Sequence, residues 1–316
     1  MNKLISIVGP TGAGKSSLAL QLARRLNGEV ISADSRQVYT YADIGTNKKP
    51  LGDSAITTLE KHSGKWVVNG IPIWGYDIVD PDQDFSVSHF VSSALPKVHD
   101  ILGRGKVPIV AGGTGYYVEA LLGDSSYSEV SPDSELRDWS KHQKVEKIVE
   151  ELRQIDPIII NELNTDALMN KQRMVRYLEI AQAKGSVKNA EIISPLKDSL
   201  EITKIGLAAE REFLYRKAEA WAEKIMQGGL VDEVSQLIDL GYKDTKILSG
   251  IVYSPVVRNI TGEISVAEAL ENIKSQLRNY IRRQLIWFRR DKEISWYFIT
   301  DNTFDQKIAE LLESSQ

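Results

Sequence analysis

No cysteine occurs among the 316 residues, which excludes disulfides, cysteine-ligated zinc and thiol catalysis. Histidine is nearly as scarce: His62, His89, His99 and His142 stand apart, without metal-ligand spacing. Excess positive charge is missing as well. A formal net charge of -4 argues against a chain that coats nucleic acid nonspecifically, so any polyanion site must be concentrated. Long apolar runs are absent. The opening MNKLISIVG is too short for a signal peptide, and no later segment is long and apolar enough to span a bilayer, so we expect a cytoplasmic protein without membrane contact. No internal repeat or low-complexity tract appears. With 42% hydrophobic residues, the chain can bury a substantial core as one large domain with an insert or as two domains.

Strand and helix patterns alternate through about residue 120, which predicts a parallel α/β sheet. KLISIV, EVISADS and VPIVAGG read as buried strands, and SSLALQLARRLN and DFSVSHFVSSALPKVHDILGRG as helices packed on them. WVVNGIPIW, with Asn69-Gly70 between two β-rich runs, predicts a tight hairpin at a sheet edge. From Asp124 to Pro195 the pattern changes to polar amphipathic helix, including SPDSELRDWSKHQ, with a proline early in its first turn, and NKQRMVRYLEIAQAKG, closed by Gly185. EITKIGLA then returns as a strand, and helices follow. The last long one opens with the Ser265/Glu268 capping box and carries Leu270, Ile273, Leu277, Ile281 and Phe288 on one stripe. Residues 1–123 and 196–316 are therefore expected to form one core, with 124–195 as a helical insertion.

The stretch IVGPTGAGKSS carries chemistry. Gly9, Gly14, Lys15 and Ser16 satisfy G-x-x-x-x-G-K-[ST], whose backbone N–H groups wrap phosphate oxygens while the lysine supplies a charge and the serine can ligate Mg²⁺. Its place between a strand and a helix separates it from an ordinary glycine-rich turn. A hydrolysing NTPase would add an acid at the end of another buried strand, but VPIVAGGTG ends in glycines. The carboxylate that does stand at a strand end is Asp34, expected beside the phosphate loop on the carboxyl side of the sheet. There it can take a proton from a nucleophile facing the bound phosphates; the competing assignment is a turn or helix-capping aspartate.

Basic residues form two clusters. Between positions 274 and 292 stand Lys274, Arg278, Arg282, Arg283, Arg289, Arg290 and Lys292 against Asp291 alone, and Lys171, Arg173 and Arg176 form a smaller patch on the insert. Two basic surfaces flanking a phosphate site suggest a polyanion lying across it, although each cluster taken singly also fits a solvated helix face. Tyr280, Trp287 and Phe288 could stack on bases, but their spacing fits a core stripe better.

Taken together, GPTGAGKS, ADSRQVY, ADIGTNKKP, DIVDP with FSV, VPIVAGGTGYYVEALL, KQRMVRYLEI, GGLVDEV and RRQLIWFRRDKEISWY occur in the order and approximate spacing of the tRNA dimethylallyltransferases, which this chain resembles over nearly its whole length. The resemblance implies a P-loop NTPase-like core with a helical, tRNA-clamping insertion. It implies transfer of a dimethylallyl group from dimethylallyl diphosphate to N6 of the adenosine 3′ of the anticodon, with Mg²⁺ as cofactor and the anticodon stem-loop of tRNA and dimethylallyl diphosphate as partners; we expect a monomer. Diphosphate would be held by Gly9, Pro10, Thr11, Gly12, Ala13, Gly14, Lys15 and Ser16, with Ser16 on the metal. Asp34 would be the base, and Thr11, Lys15 and Arg216 the other groups at the reacting centre; nearby Arg211 competes with Arg216 for that role. Asp34, Ser35, Arg36, Gln37, Thr114, Arg137 and the run Gln172, Arg173, Met174, Val175 and Arg176 would meet the tRNA.

The chain departs from the family pattern at Ile73-Trp74, at Ile251 to Pro255 and at Ala220, and it lacks the zinc-finger extension of some relatives. Three other functions stay in play. An isopentenyltransferase acting on free adenine nucleotides shares the loop and the acid but has no use for an RNA clamp. A small-molecule kinase would consume ATP, and a noncatalytic RNA-binding module would have no turnover.

Overall fold

The computed structural model of the chain describes residues 2–49 and 56–314. β1 (Lys3–Val8) runs into the glycine loop and α1 (Lys15–Arg25), whose Leu18, Ala19, Leu22 and Ala23 pack on the sheet. β2 (Gly28–Ser32) follows, and its five residues are all buried, as expected of a central parallel strand. β3 (Leu59–His62), β4 (Lys65–Val68) and β5 (Ile71–Trp74) then form an antiparallel edge, with Asn69 and Gly70 both at positive φ in the predicted turn. α2 (Val87–Gly103) leads to β6 (Val107–Gly112) and α3 (Gly115–Leu122).

The next segment contains α4 (Ser134–Lys141), α5 (Val145–Ile155), α6 (Pro157–Glu162), α7 (Thr165–Leu168) and α8 (Lys171–Lys184). α4 is capped by the Asp133 side chain, so Pro132 precedes this helix instead of lying in its first turn. Ile148, Leu152, Ile160, Met174 and Leu178 give these helices a hydrophobic core of their own. The segment joins the rest through a two-way backbone pairing of Tyr127 with Ile192.

After α9 (Leu196–Ser199), β7 (Glu201–Ala208) re-enters the sheet beside β1. α10 (Arg211–Gln227), α11 (Leu230–Asp239), α12 (Tyr253–Ile260) and α13 (Val266–Phe288) cover it, followed by β8 (Ser295–Phe298) and α14 (Phe304–Ser314). The strand order is β3-β4-β5-β2-β6-β1-β7-β8. All pairings from β5 through β8 are parallel, which brings the carboxyl ends of β1, β2 and β6 to one edge.

Two lysines are structural. Lys48, within ADIGTNKKP, is fully buried and donates to the Tyr39 carbonyl and to Asp43 and Asp77; Pro50 of that motif lies outside the described residues. Lys204 on β7 ties Asp124, Asp291 and Glu293 together at 2.6, 2.9 and 2.7 Å. Removing this buried cation leaves half-buried Asp124 and Asp291 and exposed Glu293 facing one another without their counter-charge, at a cost of about 1–3 kcal/mol, since solvent reaches the acids.

Candidate active site

A cavity of about 500 Å³ opens at the carboxyl edge of the sheet. The loop after β1 forms one wall with Thr11, Gly12, Gly14, Lys15 and Ser16, and the segment after β2 forms the opposite wall with Asp34, Ser35, Arg36 and Gln37. β6 lies between β1 and β2, so the acid stands two strand positions from the loop, about 10 Å across the sheet. Residues 112 and 113, at the tip of β6, line the gap. A Cβ on Gly112 would lie 2.1 Å from the Ala33 carbonyl, and one on Gly113 would lie 2.4 Å from Gln284 Nε2. Glycine at both positions keeps the floor between the two walls clear.

Within the loop, Ala13 is packed in the core and Gly9 sits against β7, where a Cβ would be 2.5 Å from the Leu207 carbonyl. Pro10 serves through its carbonyl, which accepts from Lys15 Nζ at 2.9 Å. Burial lowers the Lys15 pKa to about 8, with the Asp34 carboxylate partly opposing the shift. A lysine so desolvated gains strongly from a bound anion.

Asp34 Oδ1 accepts from the Arg36 amide at 2.9 Å, so the acid is indeed an Asx-type turn residue as well as a wall of the cavity. Its charge reaches across the site: after burial, it is the next cause raising the phenols of Tyr76 and Tyr280. Gln37 is pinned by Ser32 and by the carbonyls of Thr46 and Asn47. Thr114 Oγ1 accepts from the Ser35 amide at 3.0 Å, so it buttresses the acid's segment from the start of α3.

Several expected site residues fall elsewhere. Arg216 is exposed on α10 and is not among the residues lining the cavity, whereas Lys217 and Trp221 line it, and Lys217 Cβ lies 3.7 Å from where a Gly12 Cβ would be. The reason is helical period: Leu214, Ala218 and Ala222 face the core, which swings position 216 to the far side and leaves exposed Lys217 at the flank, beside the cavity. The run Gln172 to Arg176 does not form one surface. Met174 and Val175 are buried in the insert's core, Arg176 is held by Glu179 and the Val130 carbonyl, and Gln172 and Arg173 alone are exposed. Arg137 is likewise paired with Glu179. The basic α13 is partly neutralised, because Lys274 pairs with Glu223 and Arg278 with Glu219 of α10. Arg282, Arg283, Arg289 and Arg290 remain exposed.

The sequence reading missed Lys217, Trp221 and the loop Gly45-Thr46-Asn47, all on the cavity, and Tyr280, which it weighed for stacking but favoured as a core-stripe residue, lines the cavity too. That loop is held by buried Glu233 of GGLVDEV, which accepts from the amides of Asp43, Ile44 and Gly45 and from the Tyr253 hydroxyl. Two quoted motifs, ADIGTNKKP and GGLVDEV, thus meet at one carboxylate, together with Tyr253 of the segment that departs from the family pattern. Their joint occurrence was a signal, but their meeting point was not.

For a divalent cation, Ser16 is the hydroxyl available at the loop, and hard oxygen donors of this kind suit Mg²⁺ completed by phosphate oxygens and water. The cluster Asp124, Asp291 and Glu293 lies elsewhere and already holds Lys204.

A parallel sheet, a G-x-x-x-x-G-K-[ST] loop and an acid facing it across a cavity define a P-loop α/β protein built to hold a phosphorylated substrate against a second reactant. Residues 37–291 match the family described as IPP transferase, and the chain belongs to it. A tRNA dimethylallyltransferase of Oceanobacillus iheyensis is 35% identical over 98% of this chain and 95% of its own length. The crystal structure of the Bacillus halodurans tRNA isopentenylpyrophosphate transferase superimposes with a TM-score of 0.69 at 33% identity, covering 98% of this chain and 94% of that one. A eukaryotic dimethylallyltransferase acting on tRNA gives a TM-score of 0.79 at 26% identity, with 99% of this chain and 79% of that one covered.

Proposed function

We propose that this protein transfers the dimethylallyl group of dimethylallyl diphosphate to N6 of the adenosine 3′ of the anticodon in tRNA. The observation that carries the reading is the single cavity walled by the phosphate loop on one side and Asp34 on the other. The loop amides and Lys15 hold the diphosphate and neutralise the charge that builds on it as the C–O bond breaks. The adenine amine is a poor nucleophile because its lone pair is delocalised. Asp34 takes its proton as the N–C bond forms, and the products are N6-isopentenyladenosine and diphosphate. Mg²⁺ on Ser16 would add charge neutralisation on the leaving group.

The target base must leave the stacked anticodon loop to reach this cavity. Exposed Arg282, Arg283, Arg289 and Arg290 on α13, with Arg173 and Gln172 on the insert, supply basic surface on two sides for the RNA backbone. Asp34, Ser35, Arg36 and Gln37 would meet the extruded nucleotide. Lys217 is better placed than Arg216 for the diphosphate.

The test is to incubate the protein with radiolabelled dimethylallyl diphosphate, Mg²⁺ and unmodified tRNA, AMP or ATP, and to follow the label. Label in tRNA is the expected result. Label in AMP but not tRNA would replace this reading with an adenylate isopentenyltransferase, ADP formation would indicate a kinase, and no turnover with any acceptor would leave a binding module.

A further inference from the structure

Gln284 on α13 is buried, and both ends of its side-chain amide are engaged. Its Oε1 accepts from the Thr11 amide at 2.9 Å and from Thr11 Oγ1 at 3.2 Å, while Nε2 donates to the Gly113 carbonyl at 3.0 Å. One side chain therefore bridges the crest of the phosphate loop and the glycine turn that floors the gap. It reaches them from a helix 273 and 171 residues away in sequence. The fit is tight on both sides, since even a methyl group on Gly113 would press on Nε2. Lys15 Nζ lies 3.7 Å from that same methyl position, so the amide and the lysine are neighbours.

Two consequences follow. The hydroxyl proton of Thr11 is committed to Gln284, which leaves Thr11 no side-chain proton to give a phosphate oxygen in this arrangement. The spacing between the Lys15 wall and the Asp34 wall is set by the glycine turn, and Gln284 anchors the phosphate loop to it. A buried amide with all three bonds made has one orientation, and losing them would leave the loop crest free to shift.

We infer that Gln284 is a positioning residue for the transfer, holding the phosphate loop and the glycine turn in register so that diphosphate and the proton acceptor face each other at a fixed separation. This rests on the function proposed above. A displacement of about 1 Å in such a frame costs roughly 100-fold in rate.

Two variants test it. Gln284→Met fills a similar volume without any hydrogen bond, and Gln284→Glu keeps the acceptor toward Thr11 but loses the donor toward Gly113. Each is measured for melting temperature, calorimetric affinity for dimethylallyl diphosphate, affinity for an unmodified anticodon stem-loop, and single-turnover rate. We expect both to fold, to bind the RNA as the parent does, and to lose roughly 10-fold to 100-fold in rate at saturating dimethylallyl diphosphate, both losing diphosphate affinity, Gln284→Glu partly because its charge lies beside Lys15. Parental rate and diphosphate affinity in a folded Gln284→Met overturn the inference. So does a loss of RNA affinity that accounts for the whole loss of rate. Should Gln284→Met fail to fold, Gln284→Glu decides: a parental rate refutes the role, and a slow variant with parental RNA affinity supports it. If the parent itself transfers nothing, the proposed function fails, and the calorimetric comparison still decides whether Gln284 shapes the diphosphate site.

Discussion

The Lys15 ammonium gives the site a pH signature that can be worked out in advance. Burial brings its pKa from 10.5 to about 8, and the nearby Asp34 carboxylate keeps it from falling further. The gap corresponds to about 3 kcal/mol favouring the neutral amine over the cation in the empty site. Dimethylallyl diphosphate binds the cation, so its affinity should be flat below pH 8 and should fall above it, approaching tenfold per pH unit. The ligand's own last proton leaves at about pH 6, well below this break, which assigns the fall above about pH 8 to the protein. Asp34→Asn then moves the break in a defined direction. Across about 10 Å and an effective dielectric of about 20 to 40, the carboxylate stabilises the cation by roughly 0.8 to 1.7 kcal/mol. Removing its charge should lower the break by roughly 0.6 to 1.2 pH units. Calorimetric titration from about pH 6.5 to about pH 9.5, on the parent and on Asp34→Asn, reads both numbers. A flat profile would show that Lys15 is not the titrating cation, and an upward move in the variant would refute the electrostatic link between the two walls.

Asp34→Asn should also lower the single-turnover rate by about 10² to 10⁴-fold while leaving the fold intact, because the amide oxygen can still accept from Arg36; a rate within a few fold of the parent would remove Asp34 from the role of base. Lys217→Ala should weaken diphosphate binding by roughly tenfold, and Arg216→Ala should leave it near parental, so equal effects would contradict the placement on α10. Lys204→Met should destabilise by about 1–3 kcal/mol in denaturant unfolding, less than for a fully buried pair because solvent reaches Asp291 and Glu293. Burial alone would raise the Asp124 pKa, but Lys197 and Lys204 hold it below the ordinary aspartate value. The stability this contributes is full above the unfolded-state pKa and is lost as pH falls through the folded one, so Lys204→Met should unfold with a weaker dependence on acid than the parent. Arg173→Glu should weaken tRNA binding and lower its salt slope by about one, whereas an unchanged slope would take α8 out of the interface.

The parts of the molecule legible in the sequence are those written in local chemistry. A glycine loop between an apolar run and an amphipathic run fixes β1, the phosphate loop and α1. Asn69-Gly70 fixes a hairpin, and Ser265 with Glu268 fixes the start of α13. Asp34 was legible because chain order alone brings the end of the second strand to the ligand-binding edge. Gln284 and Lys217 were not, since each owes its role to which face of a helix meets the cavity, and Tyr280 was weighed for stacking but assigned to the core stripe. Within α13, the stripe Ile273, Leu277, Ile281 and Phe288 runs through position 284 and leaves Arg283 off it, so period places Gln284 on the core face, but nothing local says that its amide meets the phosphate loop. The four-residue β8 pairs with β7 through tertiary contact, and no periodicity over SWYF announces it. The run Gln172 to Arg176 failed as a surface for the opposite reason. Five consecutive helical residues point around the whole helix, so a motif contiguous in sequence cannot be contiguous in contact.

The strand order also bears on why a loop of the nucleotide-hydrolysing type serves a transfer reaction here. An acid on the strand next to the phosphate loop would stand about 5 Å away, close enough to engage a metal held by Ser16. That neighbouring strand is β6, and it ends in two glycines that steric contact with Ala33 and Gln284 requires. The acid is displaced one strand further, to Asp34, about 10 Å from the loop. That spacing takes the acid off the strand beside the loop and leaves room for an allylic carbon and a nucleophile to lie between the two walls. Moving the acid onto β6 would require a side chain where none fits. The spacing is therefore built into the sheet, and it favours proton removal from a second substrate over activation of water at the terminal phosphate.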